Sequence, residues 1–240
     1  MTDRDDQILN HIGRYRVSIR AVMQELFFDG ATCDHVLQRL ASDSEKRIKI
    51  FRLLPGRLSY YQLTLTEARH RGFPDDRAGK RTSFSLREAL AVLWFCCMTD
   101  KKRRRVDPQE LPKFGIPDTR TTKPHSAEFS DDHAVIYRIF APSPGARDDY
   151  LLLSLKRDAA EVLEHSELRE WAAAGTYAFA ILFETEGRLK RFKRRLESEK
   201  SFPVQVRLDL VPGPHRLAYT IRKLQKNGPG PAPADTARTS

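Results

Sequence analysis

The sequence predicts an α+β protein, with an N-terminal winged helix-turn-helix domain followed by a small α/β domain. Three observations carry this. About the first forty residues hold three short runs of helical periodicity, the last two separated by the tight turn "DGAT". The stretch "RIKIFRLLPGRLSYYQLTLT" then alternates with period two around Pro55-Gly56, as a hairpin does. Finally, residues 126–226 interleave apolar runs with amphipathic ones, the pattern of an α/β domain.

Each element has a local reason. From Arg4 to Ile12, apolar Ile8, Leu9 and Ile12 recur at helical spacing after an Asp-rich first turn, and Gly13 offers a stop. Ser18 is the expected cap of a second helix that turns Ile19, Val22, Met23, Leu26 and Phe27 inward. Thr32 caps a third, with Val36, Leu37 and Leu40 inward. In the hairpin, Ile48, Ile50 and Leu53 are expected on one face and Lys49, Phe51 and Arg52 on the other, and Thr66 caps a short closing helix. Residues 76–84 read as a polar linker before a strongly apolar helix, 85–98, capped by Ser85. Apolar around much of its circumference, that helix is expected against another domain or a second copy, as a homodimer contact through Trp94 and Phe95. "KKRRR" (101–105) follows, then a Pro- and Thr-rich connection. "HAVIYRIFAP", "DYLLLSLKRD", "TYAFAILFE" and "FPVQVRLDLVP" read as strands, and "DAAEVLEHSELREWAAAG" and "EGRLKRFKRRLESEK" as helices. The Pro- and Gly-rich tail 227–240 reads as disordered. The expected division is 1–75, 76–125, 126–226 and the tail.

Composition narrows the function classes. At 31% charged and 40% hydrophobic the chain reads as a soluble globular protein. Nothing approaches 18 consecutive apolar residues, so no membrane partner is expected. Three cysteines without a C-x-x-C pair supply neither a disulfide framework nor a zinc site, and a cytoplasmic location follows. The net charge is +10, with a pI near 9.7. Residues 76–125 carry 12 basic against 6 acidic side chains, so most of the excess lies mid-chain. A polyanionic partner fits that balance, and double-stranded DNA is the commonest.

The opening "DDQILNHIGRYRVSIRAVMQELFF", the turn after it and the closing "YYQLTLTEARHRGF" resemble the replication-relaxation family of plasmid and mobile-element proteins over roughly residues 3–73. The "LT..G" closure is shared with MarR-like and related winged-helix regulators. The resemblance implies a DNA-binding control protein whose second domain is similar to restriction-endonuclease folds. Metal-dependent nucleases hold Mg²⁺ with two or three carboxylates near a Lys. Here Asp148 and Asp149 precede the "DYLLLSLKRD" run, but Ser154 stands two before Lys156 where an acid is expected. Glu184 ends the next apolar run, and Pro117-Asp118 lies in the connection. The expectation is a degenerate scaffold, not an enzyme, without cofactor or metal, and a metal-dependent nuclease is the alternative. Phosphate-loop, zinc-protease and hydrolase motifs are missing. His133 and His165 are expected to be structural or exposed.

The expected DNA contacts are Thr32, His35, Gln38 and Arg39 on the outward side of the third helix. Arg and Gln there suit guanine and adenine edges. Arg47, Lys49, Arg52 and Arg57 are placed to reach phosphates from the wing. Lys101, Lys102, Arg103, Arg104 and Arg105 form a basic patch, a phosphate clamp or a solvated face. Arg188, Arg191, Arg194 and Arg195 form a second basic helix side.

Overall fold

The computed structural model describes residues 2–42, 46–116, 123–130, 134–199 and 202–226. It is a mixed α+β structure with two sheets, in two compact units: Met1–Asp100 together with the chain from Pro212, and Lys101–Val211. This division replaces the expected one. The apolar helix belongs to the first unit, and the second unit is inserted between two parts of the first. The tail 227–240, His133 and Pro117-Asp118 lie outside the described residues.

In the first unit, α1 (Asp3–Tyr15) opens on a capping box in which Thr2 and Asp5 each bond the other's backbone amide. It buries Ile8, Leu9 and Ile12. Gly13 does not stop the helix, and Arg16 takes the left-handed cap instead (φ 69°). Gly13 is needed for a different reason: a Cβ there would run into the Phe73 ring. Ser18 caps nothing. It sits in a two-residue strand, β1 (Ser18–Ile19), its hydroxyl 3.0 Å from Nε2 of buried His11. Next come α2 (Arg20–Phe27) and α3 (Asp34–Ser42), the latter burying Leu37 and Leu40. The hairpin expected from the alternation is present as β2 (Ile48–Leu54) and β3 (Leu58–Leu63), and β1 pairs with the free side of β3.

The hairpin ladder runs in register from Ile48↔Leu63 to Phe51↔Tyr60, where the two rings stack, and then shifts before Leu54↔Leu58. Counted in twos from Ile48 and Ile50, the inward place is that of Leu54 and not Leu53. Leu53, expected inward, is 72% exposed, and Leu54 takes the buried place. The turn Pro55–Arg57 has both Gly56 and Arg57 at positive φ. Thr64, not Thr66, caps α4 (Leu65–His70). Arg71 after it bonds Glu67 and Asp6, tying α4 to α1. The polar stretch that follows is anchored too, since the Gln62 amide donates to the carbonyls of Arg77 and Gly79. Thr82 caps α5 (Ser83–Cys97) in place of Ser85, and Ala89 through Cys96 are all buried. Helices α1 and α2 pack against α5. Trp94 and Phe95, 7% and 0% exposed in the single chain, therefore offer no surface for a second copy.

The second unit is a five-stranded sheet in the order β4-β5-β6-β7-β8: β4 (Arg103–Val106), β5 (His125–Phe129), β6 (Ala134–Phe140), β7 (Tyr177–Phe183) and β8 (Gln205–Leu210). The pairs β4–β5 and β5–β6 are antiparallel, β6–β7 and β7–β8 parallel. Parallel neighbours need crossovers, supplied by α6 (Asp148–Glu164) with α7 (Ser166–Ala173), and by α8 (Glu186–Glu197). Two expectations are corrected. "DYLLLSLKRD" is the first part of α6, because Leu151, Leu152, Leu155, Ala159 and Val162 keep one helical face buried through Val162. The basic run is partly a strand, since Arg103 to Arg105 pair with Glu128 to Ser126 of β5.

Beyond β8 the chain rejoins the first unit as α9 (Pro214–Lys226), which buries Leu217, Ala218 and Ile221 and packs on the hairpin turn. A Cβ on Gly56 would lie 2.7 Å from that of Ala218. Among the described residues, no helix is long and apolar enough to cross a membrane.

Candidate nucleic-acid interface

The outward side of α3 is built by its own periodicity. Leu37 and Leu40 point into the core, which leaves Thr32, His35, Gln38 and Arg39 exposed. The Asp34 amide donates weakly to Thr32 Oγ1, at 3.5 Å. Among the described residues, nothing engages the side chains of His35 and Gln38, three residues apart on one face. Arg39 differs. Its guanidinium donates to Asp5, 2.7 Å away, and Asp5 is 1% exposed. Burial alone would raise the Asp5 pKa, but the bonds from Thr2 and Arg39 outweigh it and hold the carboxylate below its usual range. Arg39 thus fixes the start of α1 against α3, which leaves Gln38 and His35 as the uncommitted side chains of this face.

The hairpin cations also divide. Lys49, Arg52 and Arg57 are exposed, and within the described residues no ion pair engages them. Arg47 is half-buried beside Glu67 at 3.9 Å, at the base of the hairpin, so it closes the fold rather than reaching outward. Lys49, Arg52 and Arg57 thus place three exposed, uncompensated cations on one hairpin, the charge that phosphates attract.

Two arginines of the basic run are internal. Arg103 is buried with Nε 2.7 Å from Glu128, Arg104 lies 3.3 Å from Glu110, and Arg105 is buried beside Asp107. Of the five, Lys101 and Lys102 are exposed. The five-residue clamp is corrected accordingly, because strand pairing and carboxylates neutralise its arginines. On α8, Arg188 is likewise buried, held by Asp148 and by the carbonyls of Ser143 and Ala146. Arg195 pairs with Asp149, while Arg191 and Arg194 stay exposed.

The residues weighed as a nuclease site do not converge. Asp149 lies on the first turn of α6 with Arg147 and Arg195 as partners, and Lys156, two turns on, meets Glu199 at 2.8 Å. Ser154 is within the same helix. Among the described residues, no three of His, Cys, Asp or Glu are grouped to hold a metal ion.

What the sequence did not suggest is a buried polar cluster in this unit. Arg138, 0% exposed, donates from Nε to the Tyr177 hydroxyl (2.9 Å) and from Nη1 to Glu161 (2.9 Å), with Asp158 at 3.4 Å. Lys123 meets Asp158 at 2.8 Å, and His125 lies 3.4 Å from the Tyr177 hydroxyl. The carboxylates are matched by cations. Burial pushes Tyr177 up to about 12 and His125 down to about 3, the latter aided by Arg138. Neither group is poised to exchange protons near neutrality, and the cluster reads as structural. The one local sign was Arg138 itself, a charge inside the apolar run "AVIYRIF".

His11 of the first unit is also held at about 3, by burial first and then by Arg14. Both histidines stay neutral in the folded chain while the unfolded chain takes up a proton near pH 6.5. Stability is therefore expected to fall as pH drops from about 6.5 toward 3, by up to about 1.4 kcal/mol per pH unit per histidine. Urea unfolding at pH 7 and pH 5 reads this, and the difference is expected to shrink in His11→Gln.

Compared with protein-family models, curated proteins and solved structures, the chain finds no match in any of the three.

Proposed function

We propose that the chain is a sequence-specific DNA-binding protein of the cytoplasm, whose first unit is a winged helix-turn-helix. Its role is that of a regulator, or of a replication or mobilisation control protein of a mobile element, as in the replication-relaxation family. The supporting observation is that Lys49, Arg52 and Arg57 stand exposed and uncommitted on a hairpin that follows a helix presenting His35 and Gln38. Cations of the hairpin hold the phosphates, and α3 enters the major groove, where Gln38 pairs with an adenine edge. The second unit serves as a scaffold and not as an enzyme. The nuclease alternative loses its main support, because its Asp and Lys lie on one helix and are bound to other partners.

Selection of bound fragments from a random duplex library is the test. A common motif is expected, and Gln38→Ala is expected to weaken binding to it by about 1–3 kcal/mol while leaving random duplex nearly unchanged. A library that yields no motif removes the claim of sequence-specific reading.

A further inference from the structure

The helix α9 carries His215, Arg216, Arg222, Lys223 and Lys226 and not one carboxylate. Its buried residues, Leu217, Ala218 and Ile221, occupy one side. At 100° per residue the five basic side chains fall together on the opposite side, within an arc of about 120°. Among them is Tyr219, 67% exposed. A solvated helix commonly mixes both signs of charge; this one does not. Its apolar side rests on the hairpin turn, and Arg222, at the near edge of the cationic face, lines one cavity with Arg57. Between α9, the turn and the start of α2 is an open cavity of about 710 Å³, whose lining includes Arg20, Asp34, Arg57, Arg222 and Gln225. Arg20 is paired there with Asp34 at 2.8 Å, which leaves Arg57 and Arg222, among the described residues, as the cations facing the opening without a carboxylate.

We infer that α9 is a third DNA-contacting element, which lays Arg216, Arg222, Lys223 and Lys226 along the phosphate backbone beside the hairpin turn. This rests on the DNA-binding reading of the first unit and extends it to a segment more than 150 residues away in sequence. The occupant follows from charge: a uniformly cationic helix face with one exposed aromatic matches a polyphosphate strand. Phosphate contacts carry no base information, so they raise affinity for every sequence alike. They also give the insertion of the second unit a consequence, because the chain of that unit joins the DNA-binding unit at both of its ends.

The test uses the full chain and fluorescence anisotropy with a duplex of random sequence and with the selected motif. The variant R216Q/R222Q/K223Q/K226Q keeps helix-forming side chains and leaves Leu217, Ala218 and Ile221 in place. It is expected to bind about tenfold or more weakly on both duplexes. The slope of log affinity against log salt should become shallower by about 0.9 for each phosphate no longer neutralised. The charge-conserving variant R216K/R222K is expected to bind like the unaltered chain, which separates loss of charge from loss of folding. Unchanged affinity and slope in the four-fold variant would sink the inference while leaving the DNA-binding reading intact. Tighter binding would sink it too, and would make α9 a cover over the hairpin. Failure of the unaltered chain to bind any duplex would instead remove the reading on which the inference rests.

Discussion

Replacing Arg138 by Leu is expected to destabilise the second unit by about 3–5 kcal/mol, the loss usual when one partner of a buried charge pair is removed. The side chain is 0% exposed and serves three groups at once, the Tyr177 hydroxyl, Glu161 and Asp158. Without it, Lys123 still faces Asp158, but among the described residues the Tyr177 hydroxyl keeps only the distant His125 nitrogen. Leucine fills part of the space and supplies no donor. Urea unfolding measures the loss. Removing the network as a whole, with Asp158 and Glu161 also made apolar, is expected to recover part of the stability, because a desolvated charge is then no longer left alone. A loss below about 1 kcal/mol in the single variant would show the cluster to be solvated and not a structural network.

Phe95→Ala is expected to destabilise the first unit by about 3–5 kcal/mol, through reduced burial and the cavity left behind. Phe95 is 0% exposed in the last turn of a helix whose residues from Ala89 to Cys96 are all buried. The same variant separates core from interface. If α5 is core, unfolding shifts to lower denaturant and sedimentation of the folded fraction matches that of the unaltered chain. If α5 were a dimer face, the variant would sediment as a smaller species at nearly unaltered stability.

Much of the architecture was legible because it follows local rules. The helix α1 follows from Ile8, Leu9 and Ile12, the hairpin from its alternation about Pro55-Gly56, and β7 from seven consecutive apolar residues. The failures have particular causes. Leu151, Leu152 and Leu155 look like part of a strand when "DYLLLSLKRD" is read alone. Only with Ala159 and Val162 does the period of 3.6 emerge. Three consecutive arginines carry no strand signal, and β4 exists because β5 pairs with it and Glu128 meets Arg103. The helical spacing of Leu217, Ala218 and Ile221 was available locally, but their docking on the hairpin turn was not. For the candidate site, the exposure of His35, Gln38 and Lys49 follows from periodicity and that of Arg57 from its place in the turn, while Arg52 is exposed where the ladder slips. The diversion of Arg39 to Asp5 and of Arg47 toward Glu67 depends on partners 34 and 20 residues away, which spacing does not reveal.

The most direct measurement is the salt dependence of duplex binding by the unaltered chain and by R52A/R57A, read as anisotropy of a labelled duplex. The unaltered chain is expected to bind with a steep negative slope of log affinity against log salt. The double variant should bind all sequences more weakly, with a slope shallower by about 0.9 for each of the two phosphates released. Equal slopes in the two proteins, or no duplex binding at low salt, would contradict the assignment of the hairpin as a phosphate-gripping wing.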